Sequence, residues 1–336
     1  MVRLCFCNFK PLKKILVIRF SAIGDIVLST PVIRSLKEQI PGSEIHMLVK
    51  HKFRESIETN IHISKFHFMD EHPVEVLDAL KAEKYDYVID LQKNGKSSWV
   101  RSVLYARHYS FPKLNFKKFL LVYFKIDKMP KVHIVDRYFE AVKKLHVMND
   151  GKGLDFFLKP QEELFSASEI DFLKTTYVAL VLGATYYTKR IPEQKLEEII
   201  SHIKHPVVLL GGPAESTLAE TLAAKFSHAV NTVGKTNLQQ SAHYIKNAAV
   251  VITSDTGLMH IAAAFHKKII SVWGNTVPGF GMYPYMPGEG SILIENNSLD
   301  CRPCSKLGFD KCPKKHFKCM LDHNARYIAS VTEQGL

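Results

Sequence analysis

The sequence predicts an α/β chain in which two parallel sheets, each interleaved with helices, follow one another along 336 residues. Three observations predict it. Apolar runs of strand length alternate with amphipathic segments of helix length. That alternation stops once and restarts, across a polar, glycine-containing stretch near residue 150. Each half also holds one apolar run that passes through a glycine turn straight into a helical pattern. In the first half, the runs at 15–20, 45–49 and 85–91 read as strands, with helical patterns at 31–39 and 75–84. The stretch VMNDGKGLDFFLKPQEE at 147–163 ends in Lys159-Pro160 and reads as the linker. The second series begins near Tyr177, where YVALVLG, PVVLLGG, AAVVITS and KIISVWG read as strands. Helices around 193–204, 215–226 and 238–247 separate them.

A chain of this length with 46% apolar residues exceeds one ordinary domain and can bury a core in each of two. Charge is uneven between the halves. Residues 1–150 hold 26 Lys and Arg against 16 Asp and Glu, and residues 151–336 hold 19 against 17. A basic first half suits an anionic glycolipid, an anionic membrane surface or nucleic acid. No nucleic-acid-binding motif accompanies it, so nucleic acid is not expected as a partner. No run of eighteen apolar residues occurs, and the apolar core of the opening MVRLCFCNFKPLKK is short for a signal peptide, which together predict a cytoplasmic protein. The segment 116–131 interleaves Phe116, Phe119, Leu120, Leu121, Val122, Tyr123, Phe124 and Ile126 with lysines. It reads either as an ordinary amphipathic core helix or as a helix lying on a bilayer.

The two glycine turns carry the chemistry. The first is KILVIRFSAIGDIVLSTP at 14–31, centred on Gly24-Asp25; the second is VVITSDTGLMHIAAAF at 250–265, centred on Asp255-Thr256-Gly257. A helix that starts just beyond a strand presents free N–H groups and the positive end of its dipole, which suits a pyrophosphate. Two such starts facing each other would hold a donor and an acceptor. Neither turn is G-x-G-x-x-G, and G-x-x-x-x-G-K-[ST] is absent from the chain, which removes the best support for a dehydrogenase or a P-loop NTPase.

Taken with T-K-R-I-P at 188–192, G-G-P-A-E at 211–215 and W-G-N-T at 273–276, these segments resemble glycosyltransferase family 9, the heptosyltransferases of lipopolysaccharide core assembly. The resemblance implies a GT-B fold of two Rossmann-like domains whose parallel sheets face a central cleft. It implies an acceptor-binding domain at 12–160, a nucleotide-sugar-binding domain at 161–322, and a last helix at 323–336 packing back on the first domain. The implied reaction is inverting transfer of a heptose from ADP-heptose to an anionic glycolipid, at the cytoplasmic face of the inner membrane, with no cofactor or metal required. Another nucleotide sugar, or a noncatalytic sugar-nucleotide or glycolipid binder, stands as the alternative.

Inverting transfer is one in-line displacement, so a single carboxylate must take the acceptor's proton. The resemblance assigns that to Asp25, with Ser21 and Gly24 on the acceptor side; from spacing alone Asp25 reads equally well as a helix cap. The departing nucleoside diphosphate needs fixed donors, which the backbone of Thr256, Gly257 and Leu258 can supply. The resemblance adds Thr185, Lys189, Asp255 and His260 to the donor pocket, Glu215 at the nucleoside and Thr236 near the base. Each has a plainer reading, as a cap, a turn, a packed histidine or a surface lysine. Arg190-Ile191 stands where many relatives carry an aromatic residue before the proline.

Four of the six cysteines, Cys301, Cys304, Cys312 and Cys319, fall within nineteen residues as C-x2-C-x7-C-x6-C. That spacing admits a tetrahedral structural zinc site, or reduced thiols that pack a loop. Cys5 and Cys7 read as incidental.

Overall fold

A computed structural model describes residues 13–336; the opening segment, with Cys5 and Cys7, lies outside the described residues. The first sheet comprises β1 Lys14–Ile18, β2 Glu44–Lys50, β3 Lys65–Met69, β4 Tyr87–Asp90 and β5 Arg107–Ser110, in the order β3-β2-β1-β4-β5. The second comprises β6 Val178–Val181, β7 Val207–Leu210, β8 Ala229–Asn231, β9 Val250–Ser254, β10 Lys268–Trp273 and β11 Ile292–Glu295, in the order β11-β10-β9-β6-β7-β8. Every pairing is parallel. Strand order reverses beside β1 in one sheet and between β6 and β9 in the other. Ligands of such sheets bind outside the carboxyl ends of the strands at those reversals, and the two glycine turns follow β1 and β9.

Alternation along the strands divides the core into three layers. Ile15 and Val17 of β1 join Ala179, Val181 and Val251 in one cluster shared by both halves. Leu16 and Ile18 face a separate cluster on the outer side of the first sheet, and Val178, Leu180 and Ile252 do the same on the second. Burial on both faces explains why these strands read as unbroken apolar runs. Strands β3, β5, β8 and β11 were not expected: β5 is RHYS, polar and exposed at a sheet edge, and β8 is three residues long.

The stretch at 147–163 has no regular secondary structure apart from a single turn of 3₁₀ helix at Gln161–Glu163. It is pinned: Arg34 Nε and Nη2 donate to Asp150 at 2.7 and 2.9 Å, Nη2 also donates to the Gly153 carbonyl, and Leu154 and Phe156 are buried. The last helix, Ala325–Glu333, departs from expectation. It packs on helix Glu193–Ile200 of the second half, with Ile328 and Ala329 in that half's outer core and Glu333 accepting from the Lys204 N–H. Its apolar face matches that groove, so nothing drives it back to the first sheet.

Helix Asn115–Phe124 is two-sided. Leu121 and Val122 are buried against Phe280, whereas Phe116, Phe119, Tyr123 and Phe124 stay exposed. Among the described residues no helix is long and apolar enough to cross a membrane.

On the outer face of the first sheet, the buried Tyr85 hydroxyl lies 3.0 Å from His46 Nδ1 and 2.9 Å from His67 Nε2. Burial pushes the His67 pKa down to about 4 and lowers that of His46. Two further histidines, His133 at about 3 and His260 at about 4, are held neutral by the same cause. A histidine whose folded pKa lies below its unfolded value stabilises fully above about pH 6.5 and less as pH falls toward the folded value. His67 alone would then lose up to about 3 kcal/mol of stability. Chemical denaturation should therefore give a flat unfolding free energy from about pH 8 to 7 and a steep fall between about 6 and 4. A free energy level across that lower range would contradict this reading.

Candidate active site

Arg19 ends the apolar run of β1, and the chain then turns into helix Ile23–Val27, with Asp25 in its first turn. Arg19 is buried, and its Nη2 lies 2.6 Å from Asp25 Oδ1. The same guanidinium donates from Nε to the Ser21 carbonyl at 2.9 Å and from Nη1 to the Leu91 carbonyl. Burial opposes its charge, but the adjacent Asp25 carboxylate, together with Tyr138 and Asp90, outweighs it and raises the Arg19 pKa. The result is a carboxylate aimed by a rigid fork. Sequence reading passed over Arg19; its signal was a lone charge at the carboxyl end of an otherwise apolar strand.

Across the cleft, β9 ends at Ser254 and helix Gly257–Ala264 begins three residues later. Thr256 caps it, Oγ1 accepting the Met259 N–H at 3.3 Å. The capping reading of Thr256 is thus correct, and it leaves the N–H groups of Gly257 and Leu258 at the helix start without intrahelical acceptors. Two glycines bring the helix starts together. A Cβ on Gly24 would lie 2.7 Å from His260 Cδ2 and 3.3 Å from Gly257 Cα, and one on Gly257 would lie 3.0 Å from Ile23 Cβ.

Lys189, on the short 3₁₀ turn Tyr187–Lys189, places Nζ 2.6 Å from Asp255 Oδ2, which also accepts from Thr276 Oγ1 at 2.9 Å. Asp255 therefore holds the lysine in place, and Thr276, from the W-G-N-T segment, completes a contact that sequence reading missed. His260 is fully enclosed; burial lowers its pKa to about 4, and its Nδ1 has no partner among the described residues. Glu215 is buried with Oε2 accepting the Gly212 N–H at 3.0 Å and Oε1 3.2 Å from Arg190 Nη1. Arg190 also donates to the Ala184 carbonyl at 2.9 Å, which steadies its contact with Glu215. Thr236 Oγ1 lies 3.0 Å from Ser241 Oγ.

One cavity of about 420 Å³ gathers these groups: Gly24 and Asp25 from the first half, and Thr185, Lys189, Glu215, Thr236, Asp255, Thr256, Gly257, Leu258 and His260 from the second. That volume is ordinary for a small-molecule site. Ser21 does not line it; its carbonyl serves Arg19 instead.

The pattern common to glycosyltransferase family 9 (heptosyltransferase) matches residues 74–308. The chain belongs to glycosyltransferase family 9. This glycosyltransferase is 26% identical over 326 residues to lipooligosaccharide heptosyltransferase 2 of Haemophilus influenzae, covering 88% of this chain and 92% of that one. A solved family 9 glycosyltransferase from Veillonella parvula superposes with a TM-score of 0.76 at 20% identity, covering 96% and 97% of the two chains. An Escherichia coli heptosyltransferase solved with ADP gives 0.70 at 21% identity, covering 96% and 100%. The fold of the enzyme is GT-B.

The four described cysteines of this glycosyltransferase, Cys301, Cys304, Cys312 and Cys319, are free thiols. Burial, then the neighbouring Cys301, pushes the Cys304 thiol up to about 11, and burial likewise brings Cys319 to about 12. Protonated thiols packing a loop fit this arrangement, and the zinc expectation finds no support: the described side chains whose ligand atoms converge within 4.8 Å are His46, His67 and Glu83. There Glu83 already pairs with Lys14 at 2.8 Å and Lys65 at 2.5 Å.

Gly24→Ala should lower kcat/KM about tenfold, because the added methyl forces the two helix starts apart and small displacements of reacting groups are costly. Steady-state kinetics beside a thermal melt would check this; an unchanged kcat/KM would mean that the close approach has no role.

Proposed function

We propose that this glycosyltransferase moves a heptose from ADP-heptose to an anionic inner-core sugar of a lipopolysaccharide or related glycolipid, with inversion at the anomeric carbon. The observation that carries the reading is the single cavity in which Asp25 faces the start of helix Gly257–Ala264. Asp25 takes the proton of the attacking hydroxyl as the new bond forms on the sugar face opposite the departing diphosphate. The N–H groups of Gly257 and Leu258, with Lys189, receive the charge that develops on the leaving oxygen. Those donors supply the role a divalent cation would otherwise fill, which supports a metal-independent reaction. Glu215 and Thr236 lie at the far side for the nucleoside.

The acceptor domain in this reading is 12–160 and the donor domain 161–322. Helix Asn115–Phe124 supports a peripheral seat on the inner membrane's cytoplasmic face: Phe116, Phe119, Tyr123 and Phe124 are exposed together, among Lys117, Lys125 and Lys128. Calorimetric titration with ADP, UDP and GDP tests the donor. ADP should bind at least about tenfold more tightly, a gap of about 1.4 kcal/mol, and a preference for UDP would overturn ADP-heptose as donor. Nuclear magnetic resonance of the product reports the anomeric configuration.

A further inference from the structure

Arg19 can aim Asp25 only if the guanidinium is itself held, because a long cationic side chain left to itself samples many rotamers. Its two backbone acceptors lie on different segments. The Ser21 carbonyl follows β1, and the Leu91 carbonyl follows β4. The Tyr138 ring, its centroid 5.9 Å from the guanidinium carbon, covers one face. What fixes the fork is therefore whatever fixes those two carbonyls.

Both are held from the loop that follows β4. Asp90, the last residue of that strand, has no exposed surface. Its Oδ1 accepts the N–H groups of Gln92 and Lys93 at 3.0 and 2.7 Å, which wraps residues 91–93 around the carboxylate and sets the direction of the Leu91 carbonyl between them. Its Oδ2 accepts from Ser97 Oγ at 2.9 Å and lies 3.2 Å from Arg101 Nε, so the carboxylate is anchored in turn to helix Gly95–Val103. Lys93 takes a left-handed φ of 49° in this turn, a conformation that a residue with a side chain keeps only where its surroundings enforce it. The half-buried Gln92 then reaches across to the other segment, where its Oε1 accepts the Phe20 N–H at 3.0 Å, one residue before Ser21. A carboxylate without exposure is costly unless its oxygens are engaged. Here every contact it makes is with the loop and the helix behind it, and neither Asp90 nor Gln92 lines the cavity that holds Asp25.

We infer that Gln92 and Asp90 are positioning residues for the transfer step. Asp90 shapes the loop that offers the Leu91 carbonyl, Gln92 ties that loop to the Phe20–Ser21 segment, the two carbonyls hold Arg19, and Arg19 holds Asp25 toward the attacking hydroxyl. This rests on the reading of Asp25 as the base. Displacing a reacting group slightly is costly in rate while leaving the binding of distant groups intact.

Gln92→Met removes the acceptor of the Phe20 N–H at nearly constant volume, and Gln92→Glu supplies one again. The turnover number for heptose transfer should fall about tenfold in Gln92→Met, while the acceptor KM and the ADP affinity hold within about twofold. Gln92→Glu should recover most of the loss, and Asp90→Asn, which turns an amide N–H2 toward Ser97 and Arg101, should fall in the same direction. In an Asp25→Asn background Gln92→Met should cost nothing further, because no base remains to be aimed; a loss of folded protein would instead multiply with it. Nuclear magnetic resonance reads the fork without any sugar transfer. The Arg19 Nε–H resonance, assigned through Arg19→Lys, should exchange with solvent about tenfold faster in Gln92→Met than in the wild type. A turnover within about twofold of wild type in Gln92→Met, a loss that multiplies with Asp25→Asn, or an unchanged Arg19 exchange rate each overturns the proposal. Faster Arg19 exchange in a protein whose Asp25→Asn variant transfers sugar normally would leave the hold on Arg19 standing and sink Asp25 as the base.

Discussion

Asp25→Asn lowers the turnover number for sugar transfer by about a thousandfold, within the range that general-base catalysis supplies, while ADP binds as tightly as before. The amide keeps the shape of the carboxylate and can still face Arg19 but cannot accept the proton. Asp25 pairs with Arg19, whereas Lys189 pairs with Asp255. The prediction thus separates catalysis from binding. Single-turnover kinetics with radiolabelled donor would measure the rate, and calorimetry the ADP affinity. Asp25 does not cap its helix, whose N-cap is Ala22; an Asp25→Asn activity within about threefold of wild type would leave the carboxylate only the role of countering Arg19.

Lys189→Met costs about a hundredfold in turnover and weakens ADP binding as well, the scale of removing one preorganised donor from a leaving group. The lysine sits 2.6 Å from Asp255, which Thr276 also holds, so its ammonium is placed before the donor arrives. Two effects add in the variant. The diphosphate loses a cation, and Asp255, only 12% exposed, keeps its charge with no counter-ion. Lys189→Arg should recover little, because a planar fork does not reproduce a point charge in a site cut to fit one. Kinetics with ADP-heptose and calorimetry with ADP are the measurements. A donor KM and turnover both near wild type would return Lys189 to the ordinary surface lysines.

Much of the site was legible because its parts are local. A strand run, a glycine turn and a helix start lie within about ten residues of one another, and the free amides at Gly257 and Leu258 follow from helix geometry alone. Residues whose role depends on a distant partner were less visible. Arg19 looked like the end of a strand until Asp25 folded back onto it, and Thr276 and Arg190 gained meaning only beside Asp255 and Glu215. The cysteine spacing left two readings open, since spacing that suits a metal also suits thiols packed within a loop.

The amino-acid sequence by itself determined the two parallel sheets, their central strands and the two turns, because periodicity and turn chemistry act over a few residues. Tertiary structure alone decided which edge strands complete the sheets, where the last helix docks and what aims Asp25. Those depend on which surfaces bury one another and on charges brought close from far along the chain, and no local pattern encodes that proximity.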